Sequence, residues 1–389
     1  MSGRAGNPRK KSRLIVLAAV AAVLAVVVSI ALASRSGETR TTGSDCPVQA
    51  LRCSPGQFDP ADSRSPSPSA SRRATGPTVD AGGDAKAPGI DRPTPTPSRT
   101  RHTTSPPRTG APRPGGPCAA PAACGFPDAS VTGPRLALSA HKTGDMTIRS
   151  DNQVIRGWDL TGSLDIYANN VTVIDSRIAS TNWWGVNLRP GFHGLRVLHN
   201  EIIGVPGKGQ DNGGEDYAVS NMGGSSIEVG WNDVSAFGNA LSMGQGTIHD
   251  NYVHDFVPFI NQGGEYQHTD AVISDGGGTG ELIIRHNTLL NATPIDKGAS
   301  ASVGLYADTA PVTHTTVDGN WLAGGAYALY GGGDGANHIQ VTDNVFSTQY
   351  HPKCGAYGPI AAWNAAGEGN VWSGNRMSDG TPVLPEPAA

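Results

Sequence analysis

Along the last two-thirds of the chain, apolar and polar positions repeat as apolar-x-x-Asn-x-apolar. The copies read Val197-Leu-His-Asn200-Glu-Ile202, Val229-Gly-Trp-Asn232-Asp-Val234, Ile248-His-Asp-Asn251-Tyr-Val253 and Ile284-Arg-His-Asn287-Thr-Leu289. They continue as Val317-Asp-Gly-Asn320-Trp-Leu322, Val341-Thr-Asp-Asn344-Val-Phe346 and Trp372-Ser-Gly-Asn375-Arg-Met377. Two earlier copies carry Trp158 and Ser176 where the others carry Asn, and successive copies lie 18, 24, 32, 19, 36, 33, 24 and 31 residues apart. A motif recurring every few tens of residues marks stacked supersecondary units, a solenoid. Each motif is rich in Val, Ile, Trp and Tyr and is spaced for a short strand. A second short strand is expected before most of them, as in Leu164-Asp-Ile166, Val186-Asn-Leu188 and Val303-Gly-Leu305. Gly-rich turns such as Gly276-Gly-Gly-Thr-Gly280 lie between. A β-propeller blade needs about 40 residues or more, and the shortest intervals are too small for one. Helical repeats fit poorly, because no capped amphipathic helix longer than a few turns follows residue 117. The pattern predicts an all-β parallel β-helix over residues 117–389, with the asparagines as an internal hydrogen-bonded ladder rather than as ligands.

The chain before residue 117 is of another kind. Arg4, Arg9, Lys10, Lys11 and Arg13 precede an uncharged apolar run from Leu14 to Ala33. As a helix that run is roughly 30 Å long, enough to cross a bilayer, and its basic flank stays inside. It reads as a membrane anchor over residues 1–33, or as a cleaved signal peptide, since Ala31-Leu32-Ala33 fits a small-x-small site. Either reading exports the remainder, to the cell membrane as a single-pass protein or to the medium. Residues 34–116 are dominated by Pro, Ser, Thr, Arg and Gly and read as a disordered spacer with a net charge of +5. Residues 117–389 hold 12 Lys/Arg against 26 Asp/Glu, a net charge of −14. Such a domain is a poor partner for nucleic acid and attracts cations such as calcium. A monomer is expected. Cys118 and Cys124 can close a small disulfide loop where the folded domain starts, Cys46 and Cys53 can do the same in the spacer, and Cys354 is left over.

From about Cys118 to Val383 the chain resembles right-handed parallel β-helix proteins of the pectate-lyase-like superfamily. More narrowly, it is similar to secreted actinobacterial β-helix proteins of unassigned substrate. Cys124-Gly-Phe-Pro-Asp-Ala129-Ser-Val-Thr-Gly133 resembles their start, and Cys354-Gly-Ala-Tyr-Gly-Pro359 with Asn370-Val-Trp-Ser-Gly-Asn375 resembles their end. The resemblance implies a carbohydrate-active protein, either a polysaccharide lyase or a glycoside hydrolase. A non-catalytic surface protein that binds cell-wall glycans is the alternative.

Uneven spacing locates the candidate chemistry, because extra residues must leave a solenoid as loops. Three long insertions, Gly204 to Tyr217, Phe256 to Asp270 and Asn291 to Ser302, are expected to leave from one corner and wall a groove. Gln267-His-Thr-Asp270 is the first choice: in a strand His268 and Asp270 share a face, and the segment resembles a His-x-Asp-Gly segment of β-helix relatives up to Asp270. Asp211-Asn-Gly-Gly-Glu215-Asp216 offers further carboxyls, and Asp211 with Asp216 is a candidate calcium pair. In an elimination His268 or Lys208 is the expected base, with calcium or Lys297 stabilising the enolate. In a hydrolysis Asp270 pairs with Glu215 or Asp216. Trp183, Trp184, Glu265, Tyr266, Tyr306 and Tyr330 are the remaining candidates for holding a polysaccharide.

Overall fold

The computed structural model describes residues 117–385, which lie in one compact unit. The expected anchor and spacer, and Cys46 and Cys53, fall outside the described residues. Short strands are visited in rotation by three parallel sheets, the arrangement of a parallel β-helix. Among the described residues the first sheet has ten strands, from Ala140–Thr143 to Arg376–Met377. The second runs from Met146–Ile148 to Gly358–Ala361 and the third from Val154–Arg156 to Val371–Ser373, with nine strands each.

In the first and third sheets an inward apolar residue of each strand stacks on its neighbours above and below, and second-sheet strands bury two, as with Leu164 and Ile166 on Val186 and Leu188. Leu160, Ile178, Ile202, Val234, Val253 and Leu289 form such a column in the first sheet, and Ile155, Val173, Val197, Val229 and Ile248 in the third, all without solvent exposure. Each such side chain contributes about 1.5–3 kcal/mol by leaving water. Strand length is therefore set by the few residues needed to reach the next corner.

The repeated motif is not a single strand, as its spacing suggested, but the corner between two. Its first apolar residue lies in the last two residues of a third-sheet strand, as Val197 does in Arg196–Leu198, and its last is the second residue of a first-sheet strand, as Ile202 is in Glu201–Gly204. Between them one residue takes a positive φ, such as His199 (53°), Trp231 (56°), Asp250 (55°) and His286 (51°). A left-handed residue other than glycine costs about 1–2 kcal/mol, and the following asparagine offsets it. The Asn251 side chain donates to the Val229 carbonyl (3.0 Å) and to Asn287 Oδ1 (2.9 Å), while its backbone N–H donates to the same Oδ1 (2.9 Å). The ladder runs from Asn200 to Asn375. Ser176 begins it with a hydroxyl, whose Oγ accepts the Trp158 N–H at 3.1 Å.

The leading segment crosses the outer face of the first sheet. The Cys118–Cys124 disulfide is formed, with Cα atoms 5.7 Å apart, and Cys354 is a buried free thiol. Phe126 packs on Trp321 (5.7 Å between centroids), and Thr288 donates to the Pro127 carbonyl (2.6 Å).

Candidate functional site

All three long insertions do leave from the corner between first and second sheets, ahead of Tyr217–Asn221, Thr269–Ser274 and Ala299–Leu305. A fourth, residues 347–357, leaves from the same corner ahead of Gly358–Ala361. The opposite wall is formed by turns after the second-sheet strands, including 275–281 and 306–312. Between the walls the middle of the floor is paved with small side chains. Ser220 and Ser242 are register partners in the column that continues through Ile273 and Gly304 to Tyr330.

The two longest loops are knitted together. The Gln262 N–H donates to Asp211 Oδ1 (2.7 Å), Gln262 Nε2 to the Gln210 carbonyl (2.8 Å) and Asn212 Nδ2 to the Ile260 carbonyl (3.0 Å). Gly214 lies against the Phe259 ring so closely that a Cβ would fall 2.2 Å from a ring carbon, so only glycine fits there.

Beneath this knot lies a buried layer of carboxyls. Asp211 and Asp216 neighbour each other, and the charge of Asp211 adds to the rise of Asp216. Burial raises both, Asp216 strongly. Glu215 turns back onto backbone N–H groups of its own loop, and burial pushes it up to about 8. Asp270 is wholly enclosed and is pushed up to about 7 by burial, with Tyr306 opposing by donating to its Oδ1 at 3.0 Å. The Tyr306 hydroxyl also meets Ser300 Oγ at 2.5 Å. Tyr217 reports the convergence: burial raises its phenol, and Asp216, Asp275, Asp270 and Asp211 all add to that rise.

A second layer reaches solvent. Asp275, half-buried at the end of Thr269–Ser274, is pushed up to about 6 by desolvation and then by the charge of Asp308. Asp308 is exposed on the 306–312 turn and also acts on His268, as does Glu265. Both oppose a desolvation that lowers the His268 imidazole.

The candidates therefore separate. His268 and Asp270 do not form a pair: His268 precedes the strand and is exposed, a register shift falls between Thr269 and Asp270, and Asp270 is bonded by Tyr306. Lys208 and Lys297 are exposed on the loops, and neither joins an ion pair among the described residues. Glu265 and Tyr266 are exposed on the second loop, while Trp183 and Trp184 are half-buried. Arg189 stands 5.4 Å over the Trp184 ring. Tyr306 packs on Tyr330 (5.2 Å), Tyr330 on Tyr327 (5.5 Å) and Tyr327 on Tyr357 (5.7 Å), a row leading along the floor toward the C-terminal coils. Backbone N–H groups point at Asp211 and Glu215, and no cluster of three or more His, Cys, Asp or Glu suits a metal among the described residues. Sequence reasoning missed Asp308 and Tyr217 and gave Asp275 no role; the signal was the turn after Leu305, which lengthens the wall opposite the three insertions.

Comparison with protein-family models, with curated proteins and with solved structures returns no match.

Proposed function

We propose that this chain is an extracytoplasmic carbohydrate-active protein, a right-handed β-helix of the pectate-lyase-like kind, that hydrolyses a polysaccharide in the groove on its second sheet. The observation that carries the reading is the carboxyl pair Asp275 and Asp308, two groups in unlike surroundings on adjoining turns of one wall. Unlike environments divide an acid from a base. Asp275, held up to about 6, donates its proton to the glycosidic oxygen as the C–O bond breaks. Asp308, exposed on the 306–312 turn, attacks the sugar carbon or activates a water, according to the separation of the two carboxyls. Asp270 is a positioning residue: through Tyr306 it fixes the turn that carries Asp308. The tyrosine row offers faces on which sugar rings stack.

Elimination is the weaker chemistry here, because Lys208 and Lys297 stand apart from the carboxyls and no step needs calcium. The apolar run behind a basic flank supports export. The enclosure of Asp211, Glu215, Asp216 and Asp270 favours a second reading, a glycan-binding surface without catalysis. Incubating the purified protein with a polysaccharide panel, with and without calcium, separates them. New reducing ends without unsaturated products support hydrolysis, unsaturated products replace it with elimination, and retention on a glycan without cleavage leaves the binding reading.

A further inference from the structure

A cavity of about 820 Å³ lies at the C-terminal end of the second sheet, a size that holds a small ligand. Its walls are the last strand of that sheet, Gly358–Ala361, the loop ahead of it, and the turns that follow it and Tyr327–Gly331. It shares no lining residue with the cavity of about 350 Å³ that Asp275 lines, so it stands apart from the proton donor. Tyr327, Tyr357 and Trp363 supply its aromatic surface. Tyr357 is 58% exposed, yet it packs on Tyr327, and its N–H donates to the Ala326 carbonyl at 2.9 Å. A ring already held in place loses little freedom when a ligand is laid on it.

The cavity is also continuous with the groove. Ring contacts run from Tyr306, on the turn that carries Asp308, through Tyr330 and Tyr327 to Tyr357. The strands Tyr327–Gly331 and Gly358–Ala361 are the first and second past that turn in the second sheet, about 5 and 10 Å along the axis at about 4.8 Å per coil. That interval is close to the length of one sugar unit in an extended polysaccharide, so a chain cut at the carboxyls reaches the cavity about two units on. The lining holds one acidic and one basic residue, Asp334 and Lys353, besides the neutral Asn364. Nothing there favours a uronate or an amino sugar over an uncharged one. Pyranose rings, with apolar C–H faces and hydroxyl edges, match aromatic faces flanked by a few donors and acceptors. We infer that the cavity is a glycan-binding site that takes pyranose units of an uncharged polysaccharide, held by stacking on Tyr357. This inference rests on the carbohydrate-active reading above and names its substrate class.

The test uses the full-length protein with a soluble glucan, an arabinoxylan, a galactomannan and a polyuronate, reading binding by calorimetry and release of reducing ends. At least one uncharged polymer is expected to bind about tenfold or more above the polyuronate, and to keep its affinity as salt rises. Tyr357→Ala is expected to lose about tenfold of that affinity, whereas Tyr357→Phe, which keeps the ring, stays within about twofold of the parent. The exposure of Tyr357 leaves the fold intact in both. Preference for the polyuronate, unchanged binding by Tyr357→Ala, or an equal loss in Tyr357→Phe overturns the inference even where hydrolysis is seen. Binding that Tyr357→Ala loses, without new reducing ends from the parent, sustains it and overturns the hydrolytic reading. Binding of none of the four polymers overturns both.

Discussion

Replacing Asp270 by asparagine isolates the cost of a carboxyl enclosed among strands. Asp270 has 0% exposure, and its carboxyl is raised from 3.8 to about 7 by burial. Above about pH 4 the unfolded chain releases this proton while the folded chain keeps it, so the unfolded state is favoured increasingly until the folded group also ionises. Stability is then fully present below pH 4 and falls as pH rises toward 7. A rise of about three pH units at about 1.4 kcal/mol each amounts to roughly 4 kcal/mol from this group. An asparagine side chain at this position does not titrate. Asp270→Asn is expected to cost about 1–3 kcal/mol at pH 4, where an amide N–H meets an unpaired position, and to recover relative to the parent as pH rises. Urea melts of both proteins from pH 4 to pH 8 measure the difference directly. Parallel curves would refute the reasoning, since they would mean that Asp270 ionises as freely in the fold as outside it.

Further outcomes follow from the same physics. Glu215→Gln is expected to flatten the stability profile up to about pH 8, read in the same melts. Asn251→Ala removes a coil-to-coil rung and strands the Val229 carbonyl, and is expected to lower stability by about 3–5 kcal/mol in denaturant unfolding. Gly214→Ala is expected to prise the two long loops apart at Phe259, seen as faster amide exchange in residues 205–216 and 255–268 with the asparagine ladder still protected. Asp275→Asn is expected to reduce polysaccharide hydrolysis by about a hundredfold or more, and parent activity is expected to decline above about pH 6 as the proton donor is lost.

The scaffold was legible because its information is periodic. An asparagine that must meet the next asparagine recurs at a fixed offset from buried Val, Ile or Leu, so Asn200 to Asn375 announce the coil count whatever the loops do. The corner of departure of the insertions followed from the same ruler. What the motif hid was its own bend: a left-handed residue such as His199 or Trp231 leaves no signature in an alternation of apolar positions. The site was legible only in part, because loops carry no period. Glu215 looked like a catalytic carboxyl but is folded back on its own backbone, and His268 precedes the strand and is exposed while Asp270 is enclosed and bonded by Tyr306. Asp308 became visible only once the turn that carries it stacked beside Asp275 on the same wall, within electrostatic reach of His268.

The most direct test of the central claim is the product released by the parent protein and by Asp275→Asn from the polysaccharide that the parent binds best. The account predicts reducing ends without unsaturated sugars from the parent, and almost none from a variant that still folds and still binds. Undiminished cleavage by Asp275→Asn, or unsaturated products from the parent, would contradict it.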